Sequence, residues 1–128
     1  MKTTTTWKSG QAYDSFKDGA KIEIDAQNGF NPKALLLTGL AACSGIDVVE
    51  ILEKMRVPFS DLAIDAETEQ TDTIPKVFKT IHLTYRVKTD DENRDKVKKA
   101  IDLSLEKYCG VAFMLQKHSD IQYELVIN

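Results

Sequence analysis

At 128 residues the chain is long enough to bury one core and too short for two independent ones, so one domain spanning 1-128 is expected. Its 42% apolar and 29% charged residues are ordinary for a soluble globular protein, and a net charge of -3 gives a phosphate backbone no electrostatic reason to bind, which argues against nucleic acid as a partner. The start, MKTTTTWKSG, has no apolar stretch of the length a secretory leader needs, and no window is expected to reach the roughly 18 apolar residues of a membrane span. A cytoplasmic protein with no membrane partner is the expectation.

The first 26 residues alternate in short runs broken by Gly10 and Gly19, and KIEIDA puts Ile22, Ile24 and Ala26 on one side. This pattern predicts two or three short antiparallel strands. Asn28-Gly29 marks a turn, and Asn31-Pro32 opens a helix, with asparagine as cap and proline where its missing N–H costs nothing. From Ala34 to Ala42 nearly every residue is apolar, which predicts burial on all sides. After Cys43 the pattern turns amphipathic, with Ile46, Val49 and Met55 among Asp47, Glu50, Glu53 and Lys54, and Pro58 is expected to end the helix.

Two strands are then predicted, Leu62 to Glu69 and Val77 to Val87. The second has Val77, Ile81, Leu83, Tyr85 and Val87 on an oily face and Thr80, His82, Thr84 and Arg86 on a polar one. The stretch Thr89 to Glu92 has the form of a capping box, and Val97, Ile101, Ser104, Leu105 and Tyr108 recur at helical spacing as far as Cys109-Gly110. A short apolar turn, Val111 to Leu115, precedes a last strand, Ile121 to Ile127. The order of elements predicts an α+β fold in which two helices pack on a curved antiparallel sheet. The first helix is more apolar than one small sheet can cover, so a homodimer is expected.

Two cysteines far apart in sequence, with no CxxC, are neither a secreted disulfide framework nor a zinc or thioredoxin motif. Cys43 reads in two ways. As a small filler it suits its neighbours Leu40, Ala41 and Ala42, since free cysteine is among the most buried residue types. As a reactive thiol it shares a helix face with Gly39, four before, and Asp47, four after. Glycine on both sides of the sulfur, at 39 and 45, implies that something approaches the helix backbone there, because each costs up to about 1 kcal/mol relative to alanine. Asp47 and Glu50 disfavour a thiolate, so a reactive Cys43 requires a cation from elsewhere in the fold. Cys109, beside Gly110 at a helix end, is unremarkable as packing.

The stretches NPKALLLTGLAACSGIDVVEILEKMR, PKVFKTIHLTYRV and LSLEKYCGVAFMLQK, taken together, resemble the OsmC/Ohr family of osmotically induced and organic hydroperoxide resistance proteins. The likeness covers nearly the whole chain, in the same order and spacing. The ending DVVEILEKMR is most similar to an OsmC-like subgroup apart from the well-defined peroxidase branch. The resemblance implies an intertwined homodimer of curved antiparallel sheets with two central helices each. It also implies a thiol-dependent peroxidase in which Cys43 attacks a small organic hydroperoxide, Cys109 resolves the sulfenic acid to a disulfide, and an external dithiol reductant reopens it, with no cofactor.

The chain departs from the peroxidase branch at two points. That branch has a glutamate ten residues before its reactive cysteine, where this chain has Lys33, and an arginine in an N-terminal loop, whereas no arginine here precedes Arg56. Lysine does not reproduce the planar fork of a guanidinium. A competing reading is therefore a catalytically weak dimeric module that binds a small apolar ligand or senses oxidation.

His82 and His118 with the two cysteines match no zinc-ligand spacing. His82 and Arg86 fall on the polar strand face, where solvent or a partner subunit is expected. The run DDENRDKVKK, acids first and bases later, is the solvated start of a helix.

Overall fold

The computed structural model describes residues 1–128, and the chain divides into two compact units, Met1–Leu37 and Thr38–Asn128. In the first unit, β1 (Thr4–Ser9), β2 (Ala12–Lys17) and β3 (Ala20–Asp25) form an antiparallel sheet in that order. The β2–β3 turn has both central residues at positive φ, Asp18 at 48° and Gly19 at 86°, the conformation that matches the twist of a two-residue hairpin. Cross-strand pairing of Trp7 with Tyr13, Tyr13 with Ile24 and Ser15 with Ile22 puts these apolar side chains on one face. The other face carries Lys8, Asp14 and Glu23, with Lys8 Nζ 2.9 Å from Asp14 Oδ1. On the apolar face Trp7 is 62% exposed and Ile22 54% exposed.

Helix α1 (Pro32–Lys54) begins as its sequence predicts: Asn31 Oδ1 accepts the Ala34 N–H at 2.8 Å. Its end differs from the expectation. Pro58 is not the terminator, because Arg56 adopts a left-handed φ of 58° and donates to the Glu53 carbonyl while Val57 donates to Leu52. This pair of bonds is a Schellman motif, and it places buried Val57 against buried Leu52.

Burial on all sides is also not observed. One stripe, Leu40, Ser44, Val48 and Leu52, is fully enclosed, while Leu36 and Ile46 remain 48% and 62% exposed. By length and composition α1 is apolar enough to cross a membrane, which corrects the expectation that no window would be: Thr38, Ser44 and Asp47 interrupt the apolar run without removing its high mean hydropathy. Within the chain its stripe Leu40, Ser44, Val48 and Leu52 is enclosed.

The second unit holds a sheet of order β4 (Ser60–Gln70), β5 (Phe78–Lys88) and β6 (Asp120–Ile127). β4 and β5 run antiparallel, but β5 and β6 are parallel, which corrects the expected all-antiparallel sheet. Alternation in sequence specifies the face a residue occupies and carries no information on strand direction. A parallel pair needs a crossover, and the segment from Asp91 to Leu115 supplies it.

On β5, Ile81, Leu83, Tyr85 and Val87 are buried as predicted, yet Phe78 replaces Val77 in the core. A register shift at Glu69 and Gln70 accounts for the change of parity. Thr89 does not form the capping box: its hydroxyl donates to the Pro58 carbonyl at 2.6 Å and accepts from Asn93 Nδ2 at 3.1 Å.

A 3-10 turn (Asp91–Asn93) leads into α2 (Arg94–Leu103), whose Val97, Ala100 and Ile101 are buried. The helix then widens into a π-helical turn (Ser104–Tyr108), which rotates Tyr108 out to 54% exposure, and α3 (Gly110–Leu115) follows where only an apolar turn was expected.

Candidate functional site

Cys43 lies in the middle of α1, half-buried, directly before the enclosed Ser44. Cys109 lies at the end of the π-helical turn, and its N–H reaches back five residues to the Ser104 carbonyl at 2.7 Å. Because Cys109 itself is extended (φ -79°, ψ 104°), the chain breaks there and α3 starts afresh. Its sulfur caps the new helix, accepting the Ala112 N–H at 3.3 Å, and the residue is 3% exposed. The fold brings the two thiols within electrostatic reach of one another, Cys43 being among the groups that raise the Cys109 thiol, and both are free.

This arrangement makes the two sulfurs unequal. Burial pushes the Cys109 thiol up to about 11; the Ala112 N–H opposes the shift, and the hydrogen bond and charge of Cys43 add to it. Cys109 is thus a protonated, enclosed thiol at neutral pH.

Beneath the pair runs a buried polar chain. Ser104 Oγ lies 2.9 Å from both Ser44 Oγ and Asp47 Oδ2, with its single proton available to the carboxylate, and Ser44 Oγ is 2.6 Å from the Tyr85 hydroxyl. Ser44, Ser104 and Tyr85 are all 0% exposed. Tyr85 is pushed up to about 12, chiefly by burial and against the Ser44 hydrogen bond, with the charges of Cys109 and Asp47 adding to the rise. Its ring meets that of Tyr123 edge-on at 5.8 Å, and the Tyr123 hydroxyl donates to Asp102 Oδ1 at 2.7 Å.

Of these residues only the cysteines were singled out for chemistry from sequence. The signal for the rest was a polar residue at a core position: Ser44 within the Leu40–Leu52 stripe and Ser104 within the apolar period of α2. Asp47 shares the helix face of Cys43 as expected, but its carboxylate is engaged by Ser104.

The two glycines beside Cys43 play different parts. A Cβ at Gly45 would come within 3.2 Å of Ile64 Cδ1, so this glycine admits β4 close to the helix. A Cβ at Gly39 would meet nothing within 4 Å, so the helix face one turn before the sulfur is open. Near Cys109 in sequence, Phe113 and Met114 are 58% and 64% exposed, with Lys117 Nζ 4.5 Å from the Phe113 ring centre and Lys107 Nζ 5.2 Å from that of Tyr108.

Arg86 makes a bidentate pair with Asp65 at 3.0 and 2.8 Å on the outer strand face. His82 Nε2 is 3.3 Å from Glu124 Oε1, His118 is exposed after α3, and Lys33 is exposed on the first turn of α1. No three His, Cys, Asp or Glu side chains are grouped to hold a metal. A recess of about 170 Å3 lined by Asp102, Leu105, Glu106, Ala112, Gln116 and Tyr123 includes neither cysteine.

Residues 25–124 match the family model described as OsmC-like protein. The chain is 34% identical to Protein YhfA of Escherichia coli K12 over 98% of each sequence. Among solved structures it is similar to an OsmC-like protein from Mycoplasma pneumoniae (TM-score 0.85, 20% identity, 98% of this chain and 95% of that one). It is also similar to the organic hydroperoxide resistance protein OhrB of Bacillus subtilis (TM-score 0.67, 23% identity, 97% and 96%), and at these identities both likenesses speak for the fold alone. With the family model covering most of the chain and a relative matched end to end, the protein belongs to the OsmC-like family.

Proposed function

We propose that the protein is a thiol-dependent peroxidase that reduces small organic hydroperoxides through Cys43 and Cys109. The observation that carries this reading is one partly accessible thiol and one enclosed thiol in a single unit, near enough for the first to raise the second. Cys43 acts first, because its sulfur is the more accessible and Cys109 is held protonated. The Cys43 thiolate bonds to one peroxide oxygen, the O–O bond breaks, and the alcohol leaves with a proton. The resulting sulfenic acid is then attacked by Cys109, whose proton departs with the displaced hydroxyl as water, leaving a Cys43–Cys109 disulfide. An external dithiol returns two electrons and two protons to restore both thiols.

The apolar neighbours Leu40, Ala41 and Ala42 and the open helix face at Gly39 favour an alkyl hydroperoxide over hydrogen peroxide. The protein acts as a homodimer in this reading, a second copy covering the apolar faces at Trp7, Ile22 and Ile46. The printed name of the OhrB structure, an organic hydroperoxide resistance protein, supports this choice of substrate class.

Reduced protein mixed with cumene hydroperoxide should lose both titratable thiols and show a Cys43–Cys109 bridge by mass spectrometry. Retention of both thiols would refute the reading. Sustained peroxide consumption with a supplied dithiol distinguishes an enzyme from the competing sensor reading, which Lys33 at the family glutamate position favours and which predicts a single stoichiometric oxidation. Light scattering at micromolar concentration should give twice the mass of one chain.

A further inference from the structure

We propose that Ser104 is a positioning residue for the redox pair, fixing the approach of the Cys109 sulfur to that of Cys43. The proposal deepens the thiol-peroxidase reading and rests on it for its biological meaning, but its test does not use peroxide.

Cys43 and Cys109 stand on separate elements, so a third contact must set their register. Ser104 makes that contact from both ends. Through its carbonyl it accepts the Cys109 N–H at 2.7 Å, the bond that closes the π-helical turn. Through its hydroxyl it reaches Ser44 Oγ, on the residue next to Cys43, and Asp47 Oδ2, one helical turn beyond Cys43, both at 2.9 Å. One fully buried residue therefore ties the backbone of one cysteine to the helix of the other.

The widened turn is part of the same device. A π-helical turn inserts an extra residue relative to an α-helix, a distortion that occurs frequently at functional sites. With i→i−4 bonding continued, Cys109 would follow the helical path of α2. The i→i−5 bond to Ser104 instead leaves it extended, where its sulfur both caps α3 and meets Cys43. Asp47 and Ser44 hold the Ser104 hydroxyl against α1, so sliding of the turn along the helix breaks one buried and one part-buried hydrogen bond at once.

The test is the thiol–disulfide equilibrium of the full chain against oxidised dithiothreitol, read by thiol counting and mass spectrometry. Bridge formation transfers two electrons and two protons from Cys43 and Cys109 to the reagent. Ser104→Ala should lower the equilibrium constant for the Cys43–Cys109 bridge by about tenfold. Ser44→Ala, which removes the Ser104 partner without touching the turn, should lower it in the same direction and serves if the first variant does not fold. Val97→Ala, buried on α2 and remote from these bonds, supplies a destabilised control expected to stay within about twofold of the parent.

An unchanged constant in Ser104→Ala and Ser44→Ala, or an equal fall in Val97→Ala, would overturn the proposal by reducing Ser104 to general packing. Failure of the parent protein to form the bridge with oxidised dithiothreitol would overturn it as well. A parent that bridges with oxidised dithiothreitol but is untouched by cumene hydroperoxide would remove the peroxidase reading and leave the role of Ser104 standing.

Discussion

The hydroxyl pair Ser44 and Tyr85 allows a stability prediction with a built-in asymmetry. The two oxygens are 2.6 Å apart in a site that water does not reach, and the Tyr85 hydroxyl has no other hydrogen bond, whereas Ser44 is also within 2.9 Å of Ser104. Ser44→Ala therefore strands a buried phenol and should cost about 1–3 kcal/mol, the penalty of an unsatisfied buried group. Tyr85→Phe leaves Ser44 with a partner and should cost less, about 0.5–1.5 kcal/mol. In the double variant neither orphan exists, so its cost should fall short of the sum of the singles by about 1 kcal/mol.

Urea unfolding followed by circular dichroism reads this cycle, with reductant present and protomer concentration held constant because association shifts apparent stability. With a urea slope of roughly 1–3 kcal/mol per molar, the shortfall corresponds to about 0.3–1 M in midpoint. A strictly additive double variant, or a Tyr85→Phe cost exceeding that of Ser44→Ala, would refute the reasoning.

Two further outcomes follow from the same structure. Cys109 has a folded-state thiol raised to about 11 from an ordinary value of 9.0, so the folded state holds its proton more tightly than the unfolded state. The stability this confers is complete below pH 9 and is lost as pH rises toward 11, with a limiting slope of about 1.4 kcal/mol per pH unit. Urea midpoints taken across pH 8 to 11 should fall more steeply for the parent than for Cys109→Ala, and equal slopes would contradict the assignment. Arg56 is an exposed non-glycine residue at φ 58°, the position a Schellman motif usually gives to glycine. Arg56→Gly should raise stability by about 0.5–1 kcal/mol in the same unfolding assay, the left-handed strain removed exceeding the added freedom of the unfolded chain, and a lower midpoint would show that the arginine side chain contributes more than the strain costs.

Local features of the fold were legible because they depend on neighbours in sequence. The Asn31 cap, the β2–β3 hairpin and the buried alternation Ile81, Leu83, Tyr85, Val87 each follow from residues within a few positions of one another. Thr89 misled for the same reason: its capping-box spacing is local, yet its hydroxyl finds the Pro58 carbonyl, a partner 31 residues away. Val77 lost its core place to Phe78 through a register shift set by the facing strand β4.

Sequence by itself determined the two long helices, the strands and the pair of residue types able to carry thiol redox chemistry, because side-chain periodicity and backbone preference act over one or two turns; α3 and the one-sided burial of α1 were left to the tertiary structure. Only the tertiary structure decided that β6 joins β5 in parallel and that the two thiols meet. Tertiary structure likewise joined Ser44, Ser104, Asp47 and Tyr85 into one buried chain beneath those thiols. Those outcomes depend on contacts between residues far apart in sequence, 41 to 60 positions for the hydroxyl chain alone, for which a linear pattern supplies no distance; the chain itself is held by the requirement that every buried hydroxyl find a partner.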